Sequence, residues 1–264
     1  MEEKKIFING LKINYKIAGQ NSPILILHGW GGSSDSWVEV GKILAKEKFK
    51  VIIPDLPGFG KSETPPRPWS ITDYAKWTID FVSSQNLKEI SLLGHSFGGR
   101  IAIKLTTQYS EMIKKLILCS AAGIKLEPEF ETKIIFWLAK IGNAIFAPKP
   151  LKRLKDFARN FFYIFLRHKD YVKADGTMRE TIKKVLEEDL LPDLPKIKAK
   201  TLIIWGEKDK IVPIKYAYIF KEKIKDSKLE VIPKVGHAPN LEVSVKLAQV
   251  IINFLKTNFC LLVE

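Results

Sequence analysis

The sequence predicts an α/β fold: a doubly wound, mostly parallel sheet with a helical segment inserted between two of its strands. Three observations carry that expectation. Short, largely apolar runs recur along the chain, at residues 24–27, 51–53, 90–93, 116–119, 202–205 and 229–232, broken only by Ser91 and Glu230. Amphipathic helical patterns alternate with them, as expected of buried parallel strands covered by helices on both faces. One stretch, residues 127–195, interrupts the alternation and contains no strand pattern.

In chain order, residues 5–17 alternate apolar and polar side chains about Asn9-Gly10, the strongest short-range signal for a β-hairpin. The bare run 24–27 enters the glycine-rich His28-Gly-Trp-Gly-Gly32, after which Trp37, Val40, Ile43 and Leu44 fall on one helical face. Residues 51–55 read as the next buried strand. Gly58-Phe-Gly-Lys-Ser62 follows; it is too short for a nucleotide-binding Walker loop and reads as a turn. A helix is then expected over 74–82, a strand over 90–93, a helix over 101–109 and a strand over 116–119. Beyond the interruption come a strand at 202–205, a helix at 214–224, a strand at 229–232 and a helix at 245–255. The chain is thus divided into a core, residues 1–126 and 196–264, and a helical lid, residues 127–195. Within the lid, Leu151, Leu154, Phe157, Phe161 and Phe165 recur near helical spacing, residues 177–190 give a second helix, and prolines 148, 150, 192 and 195 punctuate the segment.

Composition narrows the class. With 46% hydrophobic and 11% aromatic residues among 264, the chain has the material for a substantial core and is excluded from the disordered class. The two cysteines, Cys119 and Cys260, lie far apart with no CxxC or metal-ligand spacing, and such sparse use fits a reducing compartment. The charged start MEEKKIFING is not expected to act as a secretory signal. The apolar runs are too short to span a bilayer, and Cys260 stands one position too early for a prenylation box. A cytoplasmic protein without a membrane span is the expectation. The net charge of +14 is spread along the chain and no nucleic-acid motif accompanies it, so it reads as a lysine-rich solvated surface.

The chemistry concentrates at Gly94-His-Ser-Phe-Gly98. Ser96 follows an expected strand and precedes an expected helix, and a turn that sharp forces its central residue into an unfavourable backbone conformation. Small neighbours are needed to make room, which accounts for glycine two residues to either side. The serine is then held above the carboxyl ends of the strands, where open α/β sheets place their ligands, at the electropositive start of a helix. A serine hydroxyl is a weak nucleophile unless an oriented imidazole takes its proton. Of the four histidines, His28 reads as a brace for its loop, His95 as pointing away from the serine, and His168 as a solvated lid residue. His237, between the last strand and the last helix, is best placed to overhang the sheet edge. A carboxylate must orient that base; Asp209 follows the strand at 202–205, with Glu207 as the neighbouring alternative. Backbone donors for a developing oxyanion would be the amides of Phe97 and Trp30, each contributing about 2.7–4 kcal/mol to a transition state.

The ordered set His28-Gly-Trp-Gly-Gly32, Pro54-Asp-Leu-Pro-Gly-Phe-Gly-Lys-Ser62, Gly94-His-Ser-Phe-Gly-Gly99, Trp205-Gly-Glu-Lys-Asp209 and Gly236-His237 resembles the α/β-hydrolase fold superfamily, in its lidded serine esterase type. The order Ser96, Asp209, His237 is the one expected there. Haloalkane dehalogenases and epoxide hydrolases carry an aspartate where this chain has Ser96. The combination HGWG, DLPGFG and GHAP is similar to pimeloyl-acyl carrier protein methyl ester esterases and, less closely, to meta-cleavage-product hydrolases, which cleave a carbon–carbon bond. What the resemblance implies is a serine hydrolase that cleaves a small-molecule carboxylic ester through an acyl-enzyme, with no cofactor and no metal. Trp137, Phe161 and Phe162 are candidates to line its acyl pocket. Carbon–carbon bond hydrolysis is the alternative within the fold, and a ligand-binding receptor or scaffold the alternative outside enzymes. Residues 140–184 hold twelve lysines and arginines against four acids, a balance suited to steering an acidic acyl carrier protein as partner.

Overall fold

The computed structural model describes residues 1–125 and 176–257. Eight strands form one sheet: β1 (Glu2–Ile8), β2 (Leu11–Ala18), β3 (Pro23–Leu27), β4 (Lys50–Pro54), β5 (Ile90–His95), β6 (Ile113–Cys119), β7 (Lys200–Gly206) and β8 (Ser227–Ile232). Their order is β1-β2-β4-β3-β5-β6-β7-β8. The hairpin β1–β2 turns at Asn9 and Gly10, both at positive φ as a tight primed turn requires. β2 pairs antiparallel with β4, and every pairing from β4 to β8 is parallel. All eight strands read from the sequence are present.

The helices of the described residues are α1 (Val38–Lys46), α2 (Ile71–Ser84), α3 (Phe97–Gln108), α4 (Gly176–Glu187), α5 (Lys215–Lys223), the single turn α6 (Pro239–Glu242) and α7 (Ser244–Lys256). Strand periodicity divides the core. Ile24, Ile26, Val51, Ile53, Leu93, Ile117, Leu202 and Ile204 point to one face and pack with Trp37, Val40 and Leu44 and with Leu247, Ile251 and Ile252 of α7. Leu25, Leu27, Ile52 and Leu92 alternate with them and are equally buried. The helix start furthest from expectation is that of α3, which begins at Phe97, four residues before the apolar periodicity at Ile101. Gly98 and Gly99 conceal its start, because they carry no side chain to mark a face. A Cβ on Gly98 would overlap the carbonyl of Leu27, and one on Gly99 would overlap Ala121.

The expected lid lies for its greater part, residues 127–175, outside the described residues, together with Trp137, Phe161, Phe162 and His168. Its last part is described, and α4 accounts for the helix expected at 177–190. Thr181 of α4 accepts the amide of Trp69 through Oγ1 at 3.1 Å, and Leu190 donates its amide to Gly123. The buried guanidinium of Arg100 on α3 donates to the carbonyls of Val185 and Glu188 at 3.0 and 2.8 Å, closing the C-terminal end of α4. Among the described residues no helix is long and apolar enough to cross a membrane.

Candidate active site

The strand order places the site. The chain steps from β3 out to β4 and returns to β5 on the other side of β3, so the loops after β3 and β5 diverge and leave a crevice at the carboxyl ends of the strands. Residues 28–33 form one wall of that crevice and Ser96 stands at the other.

Ser96 has φ 51° and ψ −112°, a backbone conformation few non-glycine residues adopt and one that costs on the order of 1–3 kcal/mol. Three hydrogen bonds hold it there. Its amide donates to Cys119 at 3.2 Å, and its carbonyl accepts from Gly99 and Ala122, each at 3.0 Å. Gly94 is needed because a Cβ there would meet the carbonyl of Gly98 across the turn. The strain expected from the sequence is therefore present and is sustained by β6 on one side and α3 on the other.

The structure brings Ser96, His237 and Asp209 together. His237 Nε2 lies 3.0 Å from Ser96 Oγ, and His237 Nδ1 lies 2.8 Å from Asp209 Oδ2. Because the carboxylate accepts, Nδ1 carries the proton and Nε2 is free to accept from the serine hydroxyl. The side chain of Asp209 is fully enclosed, and its second oxygen accepts the amides of Ile211 and Val212, both at 2.9 Å. Glu207, the neighbouring alternative, is exposed and accepts instead the amide of Lys234 at 2.8 Å.

The two expected backbone donors are the amides of Phe97, directly after the serine, and of Trp30, on the loop after β3. Phe97 opens α3, so its amide has no acceptor within the helix. Trp30 lies beyond Gly29, where a Cβ would stand 3.3 Å from that of Ser96, and its ring meets Phe97 edge-on at 5.1 Å. His28 braces this loop as expected: Nδ1–H donates to the carbonyl of Gly29 at 2.8 Å while Nε2 accepts the amide of Leu56 at 3.0 Å. Burial lowers its pKa and keeps the ring neutral, as that pairing needs. Phe59 and Tyr74 extend the aromatic wall around Trp30 and Phe97.

Sequence reasoning assigned no role to three supporting groups. Asp55 is buried and accepts the amides of Ser34 and Lys61 and the side-chain amide of Asn14, tying the chain at Ser34 and at Lys61 to strand β2. His95, read as pointing away from the serine, donates Nε2–H to the carbonyl of His237 at 2.9 Å. Glu242 accepts the amides of Gly236 and Ala238. Each acts chiefly on backbone groups, and side-chain pattern carries no signal for those; an acid five residues past His237, at the end of a helical turn, is the only trace. Among the described residues no cluster of three His, Cys, Asp or Glu is disposed to hold a metal ion.

Residues 22–243 match the family described as alpha/beta hydrolase fold. Among curated sequences, the chain is 30% identical over 258 residues to an AB hydrolase superfamily protein of Bacillus subtilis, covering 89% of this chain and 92% of that protein. It is 27% identical over 266 residues to the 2-hydroxy-6-oxo-6-(2'-aminophenyl)hexa-2,4-dienoic acid hydrolase of Metapseudomonas resinovorans, covering 96% and 90%. Among solved structures, an esterase of Exiguobacterium antarcticum superposes with a TM-score of 0.75 at 27% identity, over 97% of this chain and all of that one (100%). With its sheet order, its strained serine turn and a match spanning most of its length, the chain belongs to the alpha/beta hydrolase fold family.

Proposed function

We propose that the chain is a carboxylic ester hydrolase that works through an acyl-enzyme on Ser96. The observation that carries this reading is the unbroken row Ser96 Oγ, His237 Nε2, His237 Nδ1, Asp209 Oδ2, with both contacts at hydrogen-bond distance in the protonation state a general base requires. His237 takes the serine proton as Oγ attacks the ester carbonyl. The amides of Trp30 and Phe97 stabilise the oxyanion. His237 then protonates the leaving alcohol and activates water for deacylation, while Asp209 holds the imidazole and stabilises its charged form. No part of this cycle needs a metal or an organic cofactor.

The esterase likeness at 27% identity supports the ester as substrate. A second reading, hydrolysis of a carbon–carbon bond, is favoured by the dienoic acid hydrolase likeness at equal identity. The same serine and histidine would serve it, so the acceptor must decide. The test is a hydrolysis profile of the purified protein on p-nitrophenyl esters from acetate to long chains, run beside a meta-cleavage product. Ester turnover that falls about 10⁴-fold or more in Ser96→Ala is the expected outcome. Ser96-dependent turnover of the meta-cleavage product alone would install the second reading. Binding without Ser96-dependent turnover of either would mark a receptor on this fold.

A further inference from the structure

The loop that carries His237 has far to reach. β8 lies three strands from β5, and at about 4.8 Å per strand the base must come back across roughly 14 Å of sheet edge to meet Ser96. A loop on such a path keeps one conformation only where its backbone polar groups have partners. Two side chains outside the Ser96–His237–Asp209 row supply them. Glu242 accepts the Gly236 amide at 2.8 Å through Oε2 and the Ala238 amide at 3.2 Å through Oε1. His95 donates Nε2–H to the carbonyl of His237 between them, at 2.9 Å. The groups held, the Gly236 N–H before His237 and the His237 C=O and Ala238 N–H after its Cα, flank the imidazole along the backbone.

His95 is suited to this by its place in the fold. It is the last residue of β5, directly before Ser96. Its ring packs against those of Trp37 and His237, with centroids 5.8 and 5.2 Å away. It also fills the space beside Gly29, where a Cβ would stand 3.1 Å from its Nδ1. One imidazole thus joins the serine turn through the chain, the Gly29 loop through packing and the His237 loop through a hydrogen bond. Desolvation first, and the neighbouring His237 second, lower its pKa to about 3, so it is a neutral donor at neutral pH. A neutral donor adds no repulsion when His237 becomes charged.

We propose that His95 and Glu242 are positioning residues that hold the His237 imidazole over Ser96 by clamping the backbone on both sides of it. The proposal rests on the reading of His237 as the base for Ser96. A side chain that only filled space would be replaceable by any apolar group of similar volume, whereas a positioning donor needs an N–H at the same place. Glutamine puts its amide nitrogen where the imidazole Nε2 stands; methionine fills the volume without a donor. His95→Met is therefore expected to lower kcat by about 10- to 100-fold with KM little changed, and His95→Gln to recover most of that loss. Glu242 is exposed, so Glu242→Ala tests the other half of the clamp without opening the core, and a fall in kcat at constant KM is expected there too.

The readouts are ester hydrolysis, the rate of Ser96 phosphonylation by a fluorophosphonate, and the low-field proton resonance of His237 Nδ1–H. That resonance should be sharp in the wild type and in His95→Gln and broadened in His95→Met and Glu242→Ala. Thermal melts establish that each variant is folded; if His95→Met is not, His95→Asn, whose shorter amide does not reach the His237 carbonyl, takes its place. Wild-type kcat and an unchanged resonance in both the donor-less and the Glu242→Ala variants would overturn the proposal. Loss of Ser96-dependent turnover and phosphonylation in the wild type would overturn the esterase reading instead. The resonance needs no substrate and would still decide whether His95 and Glu242 hold the imidazole.

Discussion

Asp209 shows how much a single residue's surroundings dictate. Its Oδ1 accepts two amides, of Ile211 and Val212, and only Oδ2 faces His237. In Asp209→Asn the side-chain oxygen must stay with those amides, because an NH₂ group there would oppose two N–H donors. The new NH₂ is then forced toward His237 Nδ1, which must accept, and Nε2 becomes a donor to Ser96. The imidazole is still in place but in the wrong tautomer. The expected result is a loss of about 10⁴-fold in kcat with the fold intact, measured by ester hydrolysis beside circular dichroism. The candidate residues were legible because each is a polar residue of the type a serine nucleophile and its base require, beyond the carboxyl end of an apolar run: Ser96 between glycines, Asp209 after residues 202–205, His237 after residues 229–232. The residue pattern puts Asp209 first but keeps Glu207 as its competitor. Two acids two residues apart differ only in which one the turn after β7 directs inward, and that depends on the amides of Ile211 and Val212.

At the scale of elements, α3 joins the serine turn to the chain returning from residue 176. Residues 96, 100 and 104 lie about one helical turn apart. Ser96 caps the start of the helix, Arg100 holds the carbonyls of Val185 and Glu188, and Lys104 pairs with Glu188 at 2.7 Å and Asp193 at 3.3 Å. Burial lowers the Arg100 pKa to about 10, which still leaves it charged at neutral pH. Arg100→Met retains the stem but abandons two buried carbonyls, and a loss of about 2–3 kcal/mol in urea unfolding is expected, with faster hydrogen exchange in α4. Exchange confined to global unfolding would show that α4 does not depend on this contact. The strands were legible because parallel strands buried on both faces give bare apolar runs. The start of α3 and the turn α6 were not: glycines mask the first, and Pro239–Glu242 is too short to show a period. No sequence pattern singles out Arg100, and only the tertiary fold reveals the helix end it closes.

For the molecule as a whole, charge enters twice, first through stability. His95 and His28 are buried neutral, His95 with a pKa near 3 against about 6.5 in the unfolded chain. Between those values the unfolded state binds a proton that the native state refuses, so stability falls as pH drops below about 6.5, by up to about 1.4 kcal/mol per unit for each imidazole. Urea unfolding from pH 7 to 5 should show this slope, and His95→Gln should reduce it; an unchanged slope would place the acid sensitivity elsewhere. The second entry is through association. The net charge of +14 includes exposed Lys208, Lys210 and Lys234 on the loops that carry Asp209 and His237, besides the twelve cations at residues 140–184. Were the natural ester presented on an acidic acyl carrier protein, these lysines would raise the encounter rate through long-range attraction, which salt screens over about 10 Å at 0.1 M. A neutral p-nitrophenyl ester feels no such field. The expected result is that kcat/KM for a carrier-bound ester falls by about tenfold or more from 50 to 500 mM salt, while that for the free ester stays nearly level. Equal salt dependence for the two would assign the positive surface to solvation alone, and leave the small free ester as the substrate class.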